Sequence, residues 1–330
     1  MTPEALSQNR PYPLYDEPNH TDEEKTMTTL QNKIDFAALF TVDHANPNGD
    51  PLSGNRPREN YDGYGEVTDV CIKRKLRNRL ADLGENVFVI PQDSATDGFD
   101  SLRERAEACE ALQQAKTAKK GKGGKKETDR AAFVAAACNE WIDVRSFGQL
   151  FAYSGESKKD GTGLSIGIRG PVSVHSAFSV DPIVIEDVQI TKSVSSETAT
   201  NKLGDSKKSS DTMGMKYRVS FGLYLIKGSI NCQLAEKTGF SEADAEKIKQ
   251  ALCTLFENDA SSARPEGSME MRKVYWWRHN CKAGQYSTAE VHRSLQVTRM
   301  PGVEEPKRFE DYDVKVIPLE GLEVEQIPSA

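Results

Sequence analysis

Two apolar-alternating runs, VSVHSAFSVDPIVIEDVQI (172–190) and YRVSFGLYLIKGSI (217–230), flank a polar excursion, TKSVSSETATNKLGDSKKSSDTMGMK (191–216). A period of two turns one face of each run toward a core. Strands that resume after such an excursion predict a long hairpin arm leaving and re-entering a sheet. The rest of the fold must supply that sheet and cover it. KIDFAALFTVD (33–43), NVFVI (86–90), MRKVYWWRHN (271–280) and VHRSLQVTR (291–299) read as strands, and YDVKVIPL (312–319) offers another. Ile72, Leu76, Leu80 and Leu83 recur at helical spacing over 67–83. SEADAEKIKQALCTLFEN (241–258) is the cleanest helix, with Ser241 as N-cap, Asp244 in the capping-box position and a stripe of Ala245, Ile248, Leu252, Leu255 and Phe256. Residues 92–140 predict a helical insertion, with helices over 102–120 and 129–141 around a lysine-rich GKGGKK tip. Without insertions the order is β-α-β-β-α-β, an α+β fold in the ferredoxin-like order that RNA-recognition domains also use.

The net charge of −7 over 330 residues divides unevenly. Residues 1–30 carry six acids and two bases, residues 304–330 eight acids and three bases, which leaves the body 31–303 near +2. An acidic total therefore does not exclude an RNA partner. Residues 1–30 lack apolar periodicity and are expected to form an acidic disordered tail. No run approaches the ~18 apolar residues of a membrane helix, and Met1 opens a polar segment without an apolar core, so a cytoplasmic protein is expected. Six scattered cysteines with no C-x-x-C pair argue against a zinc ribbon or redox motif. No metal or cofactor is expected.

Chemistry concentrates between the first strand and the first helix. HANPNGDPLSGNRPR (44–58) packs three Pro, two Gly, three Asn and two Arg into fifteen residues. It reads as an active site on Asp50, a phosphate-gripping turn or a plain connection. Asn46 and Asn48 bring side-chain amides, Gly49 and Gly54 permit close backbone approach, and Arg56 and Arg58 bring charge. A lone aspartate, even with Asp43 nearby, is weak support for a metal-assisted cut. The following helix carries Lys73, Arg74, Lys75, Arg77 and Arg79 within seven residues, with few neighbouring acids beyond Asp69 and Asp82. Such a run is either a solvated face or a phosphate-binding one. The glycine-rich 155–173 matches neither phosphate-loop spacing; Arg169 is its candidate contact. The excursion offers Lys192 and Lys216, with Met213 and Met215 at its base as flexible apolar contacts or as part of an ordinary surface loop. Trp276 and Trp277 are adjacent on a strand and so face opposite ways, as do Phe221 and Tyr224, which leaves no clear aromatic platform.

NPNGDPLSGNRPR, then YDGYGEVTDVCIKRKLRNRL, with the later SIGIRGPVS, resembles the repeated backbone subunit of type I-C CRISPR Cascade complexes, in the Cas-seven family of the RAMP superfamily. The resemblance runs over about residues 31–300. It implies an RRM-like palm (31–303) with a finger insertion (about 92–170) and a β-hairpin thumb (191–216); the acidic segments 1–30 and 304–330 rest on the charge pattern, and 1–30 fall outside the resemblance. It implies a non-catalytic subunit that stacks with copies of itself along a guide crRNA and presents the guide for pairing with target DNA. The crRNA-processing cap, large and small subunits would be its other partners. By this resemblance Asn46, Asn48, Gly49 and Arg56 meet the guide backbone, Lys73, Arg74 and Arg77 meet phosphates, and Met213 or Met215 is the thumb wedge. Type III relatives cut RNA with an aspartate in the corresponding loop; Asp50 stands in a different N-G-D-P context, so that activity is not carried over. The rivals are a metal-dependent ribonuclease using Asp50 and a monomeric RRM-type adaptor.

Overall fold

The computed structural model describes residues 28–92, 94–117, 119–120, 126–153, 164–191, 199–200, 206–207 and 213–328. Strand β1 (Ile34–Ala45) opens the fold, and β2 (Tyr64–Val67) leads into helix α1 (Asp69–Asp82). Thr68 caps α1, its Oγ1 accepting from the Cys71 amide. Four helices follow: α2 (Leu102–Ala108), α3 (Glu110–Thr117), α4 (Arg130–Glu140) and α5 (Ile142–Phe147). They run into a hairpin of β3 (Gly148–Tyr153) and β4 (Leu164–Arg169). Short strands β5 (Val172–Val174), β6 (Ala177–Pro182) and β7 (Ile185–Thr191) precede the long β8 (Met213–Ile230). Helices α6 (Cys232–Thr238) and α7 (Glu242–Cys253) separate β8 from β9 (Met269–Arg278). The chain then forms α8 (Thr288–Ser294), β10 (Leu295–Arg299), β11 (Tyr312–Val316) and β12 (Val324–Pro328).

The main sheet runs β12-β9-β1-β8-β6-β2, with every neighbouring pair antiparallel. Residues Ile34–Val42 of β1 are all buried, because both faces of the sheet are covered. Its even positions Ile34, Phe36, Ala38, Phe40 and Val42 join Ile72 and Leu76 of α1 and Ile248 and Leu252 of α7 in the larger core. Its odd positions Ala37 and Leu39 meet Leu223, Tyr275, Trp277, Val291, Leu295 and Tyr312 in a second core. His44 adopts a left-handed conformation (φ 48°), and Ala45, one position out of phase, turns into the larger core beside Val42. A third core fills the helical insertion, where the Phe88, Trp141, Phe133 and Phe151 rings pack 4.6–5.2 Å apart. Each fully buried aromatic there contributes roughly 1.5–3 kcal/mol.

Long β8 outruns the sheet. Its outer end pairs with β7 from Val219↔Ile185 to Met213↔Thr191, which is the base of the arm expected from the interrupted alternation. Farther out, Ala199–Thr200 pairs with Ser206–Lys207.

Four expectations need correction. NVFVI (86–90) is not a strand, since the Phe88 and Val89 amides donate to the Asp143 carboxylate rather than to a neighbouring strand. On the side of β8 away from β1 lie β5, β6 and β7. The helical run 102–120 breaks at Cys109, whose extended backbone (ψ 109°) separates α2 from α3. VHRSLQVTR is half helix: Ser287 caps α8, and only Leu295–Arg299 is a strand. The acidic 304–330 region is not separate from the body, because Tyr312 and Leu322 fill the second core and β12 adds an edge strand to the sheet. The capping box at Ser241–Asp244 and the buried face of α7 are present as expected. Trp276 and Trp277 are both buried, in opposite cores.

Candidate nucleic-acid interface

The loop after β1 is a built hairpin. Gly49 and Asp50 pair with Pro57 and Arg56, and the Arg58 amide donates to the Asn48 carbonyl at 3.0 Å. Asp50 accepts from the Leu52 amide (3.2 Å), the Ser53 hydroxyl (3.0 Å) and the Arg58 guanidinium (3.2 Å). A Cβ on Gly49 would sit 2.0 Å from Asn55 Oδ1, so any other residue there would displace the Asn55 side chain. Asn46 is 3% exposed and donates to the Asn55 carbonyl at 2.7 Å. Asn48 Oδ1 accepts from the Thr68 amide and hydroxyl, both at 3.0 Å. The amide-bearing residues assigned to a ligand thus tie the loop together and anchor it to the start of α1. Asp50 likewise has a visible structural role in the turn.

Arg56 reaches out of the loop to the base of the arm. Its Nη1 lies 2.7 Å from Asp187 of β7, and its guanidinium stands 5.1 Å from the centre of the Tyr217 ring. Beside it Arg218 pairs with Glu186 at 2.7 Å, and Lys216 donates to the Ser262 carbonyl at 2.6 Å. Met213 and Met215 are 69% and 49% exposed, with Ile190 and Leu52 also exposed. Loop and arm base, 131 positions apart at Arg56 and Asp187, therefore meet in one surface of ion pairs and exposed apolar side chains. Lys192 lies outside the described residues.

Helix α1 differs from its sequence reading. Lys73 pairs with Asp69 at 3.0 Å, one turn away. Lys75 is buried against Asp259, which also takes Arg264 at 3.1 Å; burial, with Arg264 adding to it, holds the Lys75 ammonium below its ordinary pKa despite Asp259. Arg77 (14% exposed) donates to Asp143 (1% exposed) at 2.9 Å and stands 5.0 Å from the centre of the Phe147 ring. Arg79 holds the Thr254 hydroxyl and Glu257. The acids that looked sparse come from 66 to 184 positions away. Arg77 thus ties α1 to α5 through Asp143. Arg74 has no ion pair among the described residues, and its buried Nη1 has no hydrogen-bond partner. Arg169, exposed at the end of β4, lines a hollow with Val134, Leu234 and Lys237 on the helical-insertion side.

Sequence reasoning did not single out Asp187, Tyr217 or Asp143. Alternation through β7 and β8 marks the first two only as strand positions, and nothing local marks Asp143. No group of three or more His, Cys, Asp or Glu side chains converges among the described residues. No helix among them is long and apolar enough to cross a membrane.

Residues 32–317 match the family model described as CRISPR-associated protein Cas7, and the chain belongs to that family. It is 26% identical over 281 residues to the CRISPR-associated protein Cas7 of Haloferax volcanii, covering 82% of this chain and 76% of that relative. Two solved chains are similar. One, from a "CRISPR RNA-guided surveillance complex, pre-nicking", has a TM-score of 0.42 and 17% identity over 78% of this chain and 83% of that one. The other, from a "CRISPR RNA-guided surveillance complex", has a TM-score of 0.36 and 18% identity over 74% and 68%.

Proposed function

We propose that this Cas7-family chain is a multi-copy, non-catalytic backbone subunit that grips a guide RNA through its phosphates, in a complex of type I-C. Copies stack head-to-tail, since one repeated surface can then follow a strand of any length. A ferredoxin-like palm is supported by the strand order β9-β1-β8-β6 with α1 and α7 packed on one face. The observation that carries the reading is Arg56, which joins the loop to the base of the arm through Asp187 and Tyr217. Its partner Asp187 is exposed, so a phosphate can take the guanidinium at little cost. Arg58, Lys73, Arg74 and Lys216 extend the grip, and Met213 and Met215 offer the apolar contact that parts bases. Guide and target DNA then pair by their own base code. Cap, large and small subunits complete the particle, in the cytoplasm.

The adaptor alternative needs an open sheet face for stacked bases. Here Tyr275 and Trp277 on that face are buried under Val291, Leu295 and Tyr312. The test is binding of unrelated single-stranded RNA sequences across a salt series. Equal affinities that weaken steeply with salt support the proposal. A strong preference for one short sequence refutes it, and Mg²⁺-dependent cleavage of complementary RNA lost in Asp50→Ala would establish the ribonuclease instead.

A further inference from the structure

A groove of about 680 Å³ lies between α4 and the end of α6, and a hollow of about 310 Å³ shares Val134, Lys237 and Thr238 with it. The floor is apolar, from Ala131, Val134, Ala135 and Leu234. The rim is cationic: Arg130, Arg169 and Lys237 are exposed, and none has an ion pair among the described residues. The acid at this rim, Asp129, is engaged as the cap of α4, accepting from the Ala131 and Ala132 amides. Most other arginines and lysines near a core are matched with an acid, as α1 illustrates. Three unmatched cations around an apolar floor call for a partner that is both acidic and apolar.

The chain contains such a segment. Residues 1–27, outside the described residues, hold Glu4, Asp16, Glu17, Asp22, Glu23 and Glu24 against Arg10 and Lys25, with Tyr12, Leu14 and Tyr15 among them. They join the body beside the groove. The Thr28 carbonyl accepts from the Glu242 amide at 3.3 Å, and the Leu30 amide donates to the Phe240 carbonyl at 3.0 Å. Phe240 is next in the chain to Gly239, which lines the groove. From Thr28, Asp22–Glu24 are four to six residues distant, roughly 13–20 Å when extended. The apolar stretch Tyr12–Tyr15 has ample chain to fold back.

We propose that the acidic N-terminal segment docks in this groove of its own copy, with its carboxylates on Arg130, Arg169 and Lys237 and Tyr12–Tyr15 over the floor. Docked there, it screens three unpaired cations from nucleic acid and confines phosphate binding to the loop and arm. The docking itself does not depend on the loop's role; only its consequence for phosphate binding rests on the proposed function.

Carbodiimide cross-linking of the full chain tests it, since that reagent joins a carboxylate directly to a lysine amine with loss of water. The expected product links Asp16–Glu24 to Lys237. It falls several-fold at high salt and in Arg130→Glu with Arg169→Glu. These exposed-site variants should retain the wild-type melting curve. In an equal mixture of ¹⁴N and ¹⁵N protein, the cross-linked peptides carry a single isotope throughout. Cross-links spread evenly over Lys237, Lys227 and Lys273 would overturn the docking. Mixed-isotope pairs would overturn it too, showing that the segment docks on a neighbouring copy.

Discussion

Helix α1 and the loop before it both carry dense positive charge, yet they hold it in opposite ways. Arg77 faces Asp143, an acid buried deeply enough to depend on it, and the buried Lys75 shares Asp259 with Arg264. Arg56 and Arg58 face Asp187 and Asp50, which keep contact with water. The accessibility of the partner decides what a cation can do. An exposed pair is worth about 0–1 kcal/mol and exchanges readily for a phosphate. A buried acid deprived of its cation costs about 3–5 kcal/mol. Lys75 and Arg77 are therefore clamps on the fold, while the pairs of Arg56 and Arg58 remain open to exchange.

The sharpest break of this contrast is Arg77→Ala. It strands the buried Asp143, which also orders the Phe88 and Val89 amides. Urea unfolding should show a loss of about 3–5 kcal/mol; a change under 1 kcal/mol would put Arg77 back among the ligand contacts.

Acid should expose the same dependence on buried charge. Burial tends to raise the carboxyls of Asp35 and Asp244, but His279 and Lys33, and Arg145 and Ser241, outweigh it and hold both below the ordinary value of 3.8. Their stabilisation is present above that value and is lost as pH falls through their lower folded pKa. His292 acts earlier. Burial lowers its pKa from 6.5, its Nε2 facing the Phe36 and Gly228 carbonyls at 3.2 and 3.1 Å. The unfolded chain takes up that proton first, so stability should already decline as pH falls below 6.5. Thermal melts from pH 8 to pH 3 should show two declines, the first absent in His292→Asn.

Arg56→Ala with Arg58→Ala should do the reverse of Arg77→Ala. Folding stability changes by about 2 kcal/mol or less, at about 0–1 kcal/mol for each pair, while the slope of log affinity against log salt becomes shallower by about 1.4, at about 0.7 per phosphate contact. Fluorescence anisotropy with single-stranded RNA reads the slope. Lys73→Ala, which breaks only an exposed pair one helical turn long, should cost about 0.3–0.5 kcal/mol in the same urea assay.

What the sequence disclosed follows the range of the forces involved. The α7 cap, the α1 stripe and the arm's base depend on spacing within a few residues, and all three are present. The turn chemistry of N-P-N-G-D-P was legible, but its direction was not. Asn46 and Asn48 point inward because Asn55 and Thr68 receive them. The ion pairs of α1 were hidden for a different reason, since Asp143, Glu257 and Asp259 reach it only after the sheet has closed. NVFVI misled because an apolar run of five fits a buried loop as well as a strand, and the Asp143 carboxylate settles which by taking its amides.

The central claim is that one surface, repeated in identical copies, follows a guide of any length. Sedimentation velocity of the full chain with single-stranded RNAs of increasing length and unrelated sequence tests it directly. Particle mass should rise in proportion to RNA length, whatever the sequence, and should fail to rise in Arg56→Ala with Arg58→Ala. One copy per RNA at every length would contradict it.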